Sequence, residues 1–406
     1  MDKTKFRYRC TDCGSEYDAA GTVYLCPSCS AVPAPGTPPR GVLKTIYDYE
    51  AIRETVSGFD GLKNSGFIDL LPLASTDSMP PLRVGNTPLY PLSGLDDKKF
   101  PFSLYLKDDS QNPTWSFKDR ASALVSAYAA ENRLGTIIAA STGNAGSSLA
   151  GICASQRQRA VIVVPETAPK AKLTQIVMYG AMIVPVKGTY DEAFDLSVKA
   201  TETFGWYNRN TAFNPLTIEG KKTVSFELFE QLRLRVPDRI FIPAGDGVIL
   251  AGTYKGFEDL LRLGITDTMP VIVAVQSEKS DNLVRNIMQE KFTVVPSSTV
   301  ADSISVDIPR NFYMARQFIQ EYSGETLTLP DEAILNASKI LAAHTGLFAE
   351  PAAAAAFAGF LSYHSDGRIP SGSSNVVLLT GGGLKDPGAV SSLIRMPASV
   401  YPTIDN

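Results

Sequence analysis

The stretch Asn112-Pro113-Thr114-Trp115-Ser116-Phe117-Lys118-Asp119-Arg120 sets one lysine between an aromatic ring and an Asp-Arg pair, with a helical pattern opening at Asp119. Exposure is the commonest fate of a lysine. Buried at a helix start, where its pKa falls, a lysine is instead suited to Schiff-base chemistry with a carbonyl group. From about residue 100 onward the chain alternates short β-branched runs with helical stretches. The strand candidates are Gly135 to Ala140, Arg159 to Pro165, Ala181 to Val186, Arg239 to Pro243, Pro270 to Val275 and Asn375 to Leu379. Strands that alternate with helices predict an α/β fold with a parallel sheet covered on both faces.

Loops that follow such strands are where open α/β sheets bind ligands. Three stand out: Ser141-Thr142-Gly143-Asn144-Ala145-Gly146, Ala244-Gly245-Asp246-Gly247-Val248, and Thr380-Gly381-Gly382-Gly383-Leu384-Lys385-Asp386. Taken singly, each glycine there serves a tight turn as readily as a ligand. The second loop opens a predicted helix from Val248 to Leu263, whose first amides and positive end suit a phosphate. Asp246 is expected to turn its carboxylate away from any anion held there. No GxxxxGK[ST] sequence is present, which counts against a P-loop nucleotide site.

Four of the five cysteines form two CxxC turns, Cys10-Thr11-Asp12-Cys13 and Cys26-Pro27-Ser28-Cys29. Two such turns supply the four thiolates of a tetrahedral, structural Zn(II) site, and iron or a pair of disulfides are the alternatives. No apolar run follows the basic first residues, so no secretory signal is read and disulfides are disfavoured; a cytoplasmic location is expected. The Pro/Gly-rich residues 31–40 read as a linker, which makes residues 1–40 a ribbon-like module with its linker and 41–406 the body. Cys153 reads as a core residue. The longest apolar stretch, Pro351 to Leu361, is too short to cross a bilayer. With 38 basic against 42 acidic residues there is no global field to attract nucleic acid or a membrane surface. Two histidines, His344 and His364, leave little material for a histidine-based relay.

The ordered motifs Pro113-Thr114-x-Ser116-Phe117-Lys118-Asp119-Arg120, Ser141-Thr142-Gly143-Asn144, Glu219-Gly220-Lys221-Lys222-Thr223 and Gly381-x-Gly383-Leu384-Lys385-Asp386 together resemble the signature of the threonine synthase family. That family belongs to the fold-type II pyridoxal-phosphate enzymes, the tryptophan synthase β-subunit superfamily, and some members carry a cysteine ribbon in front. The likeness runs from Gly85-Asn86-Thr87-Pro88-Leu89 to Pro387 and includes Glu350-Pro351-Ala352. It implies two doubly wound α/β domains behind the ribbon, the smaller mobile one inserted at about residues 135–215, and a homodimer. It also implies that Lys118 carries pyridoxal 5'-phosphate as a Schiff base and takes the Cα proton. Asn144 would meet the cofactor's ring oxygen, Gly245, Asp246, Gly247, Val248 and Ile249 its phosphate, and Thr380 its ring nitrogen. Ser141, Thr142 and Gly143 would hold the substrate carboxylate, and Lys222 the substrate as well. The implied reaction is a carbon–oxygen lyase step converting O-phosphohomoserine and water to threonine and phosphate.

Three departures from the family pattern bear on the substrate. Trp115 stands where glycine is usual and is expected to reshape the pocket. Thr217 stands where an arginine grips the substrate phosphate, and Gly382 where histidine is common. Lys221, in place of a glutamine, Lys222 or Arg209 are the candidates to supply the missing charge, although Lys221 also reads as a solvated helix residue. A serine/threonine dehydratase or β-replacement enzyme acting on an unphosphorylated amino acid is the alternative reading. A non-catalytic binding protein is a third, opposed by the retention of Lys118, Asn144 and Thr380.

Overall fold

The computed structural model describes residues 5–19, 21–31 and 36–402; residues 32–35 of the expected linker and the first four residues lie outside that description. A six-stranded sheet has the order Glu325–Leu329, Val271–Ser277, Arg239–Pro243, Ser374–Leu379, Ser103–Asp108, Leu89–Pro91, and only the last strand runs antiparallel. A second, four-stranded parallel sheet has the order Met182–Val186, Arg159–Pro165, Thr136–Ala140, Tyr207–Asn208. Runs such as Ala160 to Val164 are buried throughout, as strands covered on both faces by helices must be. All six predicted strands are present within a residue or two. Ser103–Asp108 is not among them, although it links the antiparallel edge strand Leu89–Pro91 to the parallel strands of the larger sheet. Its Lys107 and Asp108 are buried and break the apolar pattern by which a central strand is read.

Three helices set the site. Lys118–Glu131 packs on Leu216–Gln231, which packs in turn on Val248–Arg262. The approach is close because Gly220 faces the first helix: a Cβ there would stand 2.2 Å from the Arg120 carbonyl. Gly252 does the same on the other side, where a Cβ would stand 2.7 Å from that of Lys221. Arg120 locks the first helix through Asp109 at 2.6 Å and Glu227 at 2.6 Å, all but the Glu227 head fully buried.

The amino-terminal ribbon is an antiparallel sheet of Glu16–Asp18, Phe6–Cys10 and Leu43–Tyr47, so its third strand comes from beyond the linker. It docks on both parts of the body. The Tyr24 hydroxyl accepts from the Asn208 amide at 2.8 Å, and its ring stacks on Phe213. On the other side Gln317 donates to the Thr11 carbonyl at 2.6 Å, and Arg40 lies over the ring of Tyr313. No helix among the described residues is long and apolar enough to cross a membrane.

Candidate active site

A cavity of about 570 Å³ opens at the carboxyl ends of strands from both larger sheets. It gathers Lys118, Ser141, Thr142, Gly143, Asn144, Gly245, Asp246, Gly247, Val248, Ile249 and Thr380, all residues singled out from sequence. It also brings in Arg209, Lys221 and Glu350, together with Tyr190 and Ser303, for which the sequence carries no signal.

Lys118 is held by the turn before it. Asp119 accepts from the Thr114 amide at 2.7 Å and the Thr114 hydroxyl at 2.5 Å, and the Phe117 amide donates to the Thr380 carbonyl at 2.8 Å. The amine has no hydrogen-bond partner among the described residues. Burial lowers its pKa and Arg209 lowers it further, against the opposing pull of Glu350 and Asp246. Glu350 is buried, and desolvation raises its pKa. Asn144 donates to the Glu350 carboxylate at 2.8 Å and to the Ser303 hydroxyl at 3.1 Å.

Two helices begin at the cavity without a side-chain cap, so their first amides are free for an anion. One starts at Asn144 behind the Ser141-Thr142-Gly143 turn. The other starts at Val248 behind Gly247, which adopts φ +81°. Asp246 lines the cavity, yet its carboxylate accepts from the Arg310 amide at 3.0 Å. The residues present therefore fit a phosphorylated carbonyl cofactor: a free amine of lowered pKa, an uncapped amide cradle and a cavity between them.

Lys222 does not reach this cavity, a correction to its expected substrate role. It is fully buried on the other side of its helix, paired to Glu219 at 2.5 Å and to Asp259 at 2.7 Å, over the ring of Tyr47. One residue along a helix turns the side chain by about 100°, and Lys221 is the residue that faces the cavity. Thr217 is buried, donates to the Asn214 carbonyl at 2.7 Å and does not line the cavity.

Trp115 also departs from expectation. It does not line the cavity, and it is 57% exposed. Its φ of +64° lies in the left-handed region, which gives the physical reason that glycine suits this position. A Cβ on Gly382 would lie 3.9 Å from that of Trp115, so two of the three departures are neighbours. Bulk gained at one faces bulk absent at the other. Trp115→Gly is expected to raise stability by about 1 kcal/mol through relief of the left-handed strain and to leave the substrate profile unchanged. Urea denaturation and a substrate panel check both; a widened profile would return Trp115 to the pocket.

The four ribbon sulfurs, of Cys10, Cys13, Cys26 and Cys29, lie within 4.8 Å of one another, and Cys13 and Cys26 are 3.8 Å apart. Tetrahedral Zn–S bonds of about 2.3 Å require sulfurs about 3.8 Å apart. The Asp12 amide donates to Cys10 Sγ at 3.4 Å, and the Tyr17 hydroxyl lies 2.9 Å from Cys26 Sγ. Metal analysis of protein purified without chelator is expected to find about one zinc per chain, and chelation to loosen the ribbon. Reduced thiols with no metal would defeat that assignment. Cys153 is buried in the core and its thiol pKa is pushed up to about 12 by burial.

Residues 81–381 match the family described as pyridoxal-phosphate dependent enzyme, and the chain belongs to that family. Its ribbon lies outside the match. Its relatives within the family include threonine synthases. That of Methanocaldococcus jannaschii is 32% identical over 97% of this chain and 96% of its own length. That of Methanosarcina acetivorans is 33% identical over 98% and 97%. That of Halalkalibacterium halodurans is 36% identical over 82% and 92%. Among solved structures, a T.th. threonine deaminase superposes with a TM-score of 0.63 at 27% identity, covering 73% of this chain and 92% of that one. A processed threonine deaminase isoform from Solanum lycopersicum has a TM-score of 0.66 at 22% identity over 84% and 96%, which speaks to the fold alone. The chain is thus a threonine synthase-like, pyridoxal-phosphate dependent enzyme.

Proposed function

We propose that the chain converts O-phosphohomoserine and water to threonine and phosphate. The observation that carries this reading is the cavity itself, which sets the amine of Lys118 among amide donors and two further cations, in a chain related over nearly its full length to threonine synthases. Lys118 would hold the cofactor, Gly245 to Ile249 its phosphate, and Asn144 and Thr380 its ring. Bound there, pyridoxal 5'-phosphate supplies the electron sink that makes the Cα proton removable. Lys118 Nζ takes that proton, for which a buried amine of lowered pKa is suited near neutrality. Ser141, Thr142 and Gly143 orient the substrate carboxylate at their helix start. A proton then leaves Cβ as phosphate leaves Cγ, a proton is returned to Cγ, and water adds its hydroxyl at Cβ while Cα regains its proton, which gives threonine and phosphate.

Incubation of the cofactor-loaded protein with O-phosphohomoserine, and separately with serine and threonine, tests this. Phosphate released in step with threonine is expected. Keto acid and ammonia from the unphosphorylated amino acids, without phosphate release, would favour the dehydratase reading. That second reading draws on the likeness to a threonine deaminase and on the uncharged Thr217.

A further inference from the structure

Two cations in the cavity have no anion. Arg209 is 1% exposed; its Nε donates to the Ser122 hydroxyl at 3.2 Å and one terminal nitrogen to the Thr211 hydroxyl at 3.2 Å. Its other terminal nitrogen is buried with no partner. Lys221, also 1% exposed, has an amine with no partner at all. The carboxylates that line the cavity are engaged elsewhere: Asp191 with Arg310, Asp302 with Lys172, Asp307 with the Ser297 amide, Asp246 with the Arg310 amide and Glu350 with Asn144. None of these carboxylates makes a hydrogen bond or ion pair with either cation, and Asp246 on Lys221 and Asp119 on Arg209 act only through space.

A buried, uncompensated charge is costly to a fold, and two that repel each other are more so. The strain registers in both groups. Burial depresses Lys221 well below the ordinary lysine pKa, with Arg209 and Lys118 adding to it, and burial holds Arg209 down to about 10. Such an arrangement suits a site completed by a ligand with two negative charges. The uncapped Gly245 to Ile249 turn already offers a place for one phosphate. Arg209 is anchored to Ser122, about one helical turn beyond Lys118, and lines the same cavity as that amine.

We propose that Arg209 and Lys221 form a second phosphate site in the cavity, holding the leaving phosphate of an amino acid esterified on its side chain in place of the arginine absent at Thr217. The inference rests on the reading that the substrate is phosphorylated, and it moves the recognition of that group to residues outside the usual family position. The site is prepared for a dianion, which also accounts for a cavity wall that is electrostatically unsatisfied when empty.

Inorganic phosphate titrated into the cofactor-loaded protein, followed by calorimetry, is the test. One phosphate per chain is expected beyond that of the cofactor. Arg209→Met and Lys221→Gln should each weaken it about tenfold or more, as loss of a charged hydrogen bond does, while cofactor affinity stays unchanged. Without phosphate, Lys221→Gln should melt about 2 °C or more above the parent, because a repelling buried charge is gone. Glutamine is the usual family residue there, so the variant is compatible with the fold. Absence of phosphate binding overturns the proposal. So does loss of cofactor affinity with phosphate binding intact, which would assign both cations to the cofactor's own phosphate. If O-phosphohomoserine is turned over normally by the variants, the proposed activity stands and this site falls. If phosphate binds and weakens as expected but O-phosphohomoserine is inert, the site stands and another phosphorylated amino acid is the substrate.

Discussion

Lys118→Ala is expected to leave a folded protein whose turnover has fallen by about 10³-fold or more, and which no longer shows the absorbance of a lysine-linked cofactor. The turn around the residue is built from other groups. Asp119 holds Thr114, and the Phe117 amide holds the Thr380 carbonyl, so removing the amine should not unravel it. The amine contributes no hydrogen bond to the fold, and circular dichroism should be unaltered. The pH profile of the parent adds an independent check. The lysine works as a base when unprotonated, and burial lowers its pKa. The rising limb of activity should therefore level off below the ordinary lysine range, near 10.5, not at it. An unchanged chromophore in the variant would remove Lys118 from its role.

Lys222→Met is expected to cost about 3–5 kcal/mol, the scale for breaking one member of a buried ion pair. Urea denaturation should show this as a much lower midpoint, a large share of a total stability of roughly 5–15 kcal/mol. Glu219 and Asp259 would lose their shared partner inside the protein, where both are essentially inaccessible, although Lys255 still reaches Asp259. The same cluster sets an acid limit. Burial pushes the Asp259 carboxyl up, but Lys222 and Lys255 outweigh it and leave its pKa below the usual value of 3.8. A carboxyl depressed in the folded state stabilises above its unfolded pKa, and that gain is lost as pH falls through the folded one. Acid unfolding of the parent should thus steepen below about pH 4, and Lys222→Met should shift that loss upward. Lys221→Gln, one residue away, has the opposite expected sign. A midpoint for Lys222→Met within about 0.5 kcal/mol of the parent, the range of an ordinary surface change, would refute the argument.

That contrast marks the boundary of what the sequence discloses. Lys118, Asn144, the Gly245 to Ile249 turn and Thr380 each follow a strand or open a helix, and the strands are readable from their β-branched runs. Bringing those loops to one cavity follows from strand direction, because parallel strands end on the same side. Which of two adjacent lysines faces inward depends on helix phase against Gly252 and Tyr47, and no local pattern carries that. Trp115 misleads because a glycine position reads as a pocket wall, whereas its backbone angle turns the side chain outward. Glu350 is visible in the sequence as part of a segment and not as a cavity residue. Its role as partner of Asn144 spans more than two hundred positions of chain, a separation at which sequence periodicity is silent.

The placement of Ser103–Asp108 has a consequence for how this protein comes into being. The strand lies between Leu89–Pro91, its near neighbour in the chain, and Ser374–Leu379, which is made about 270 residues later. During vectorial synthesis at about 5–20 residues per second, its far edge must wait tens of seconds for that partner. Until then the larger sheet exists as two unconnected pieces, and its Leu104 and Leu106 lack the cover they have in the finished core. The turn that presents Lys118 is equally incomplete, because the carbonyl it leans on belongs to Thr380. Long-range strand pairing of this kind folds slowly and exposes an unpaired edge meanwhile. The nascent chain should be most prone to aggregation, and most dependent on chaperones, in the interval before residue 379 emerges, with the lysine translated long before it is set in place.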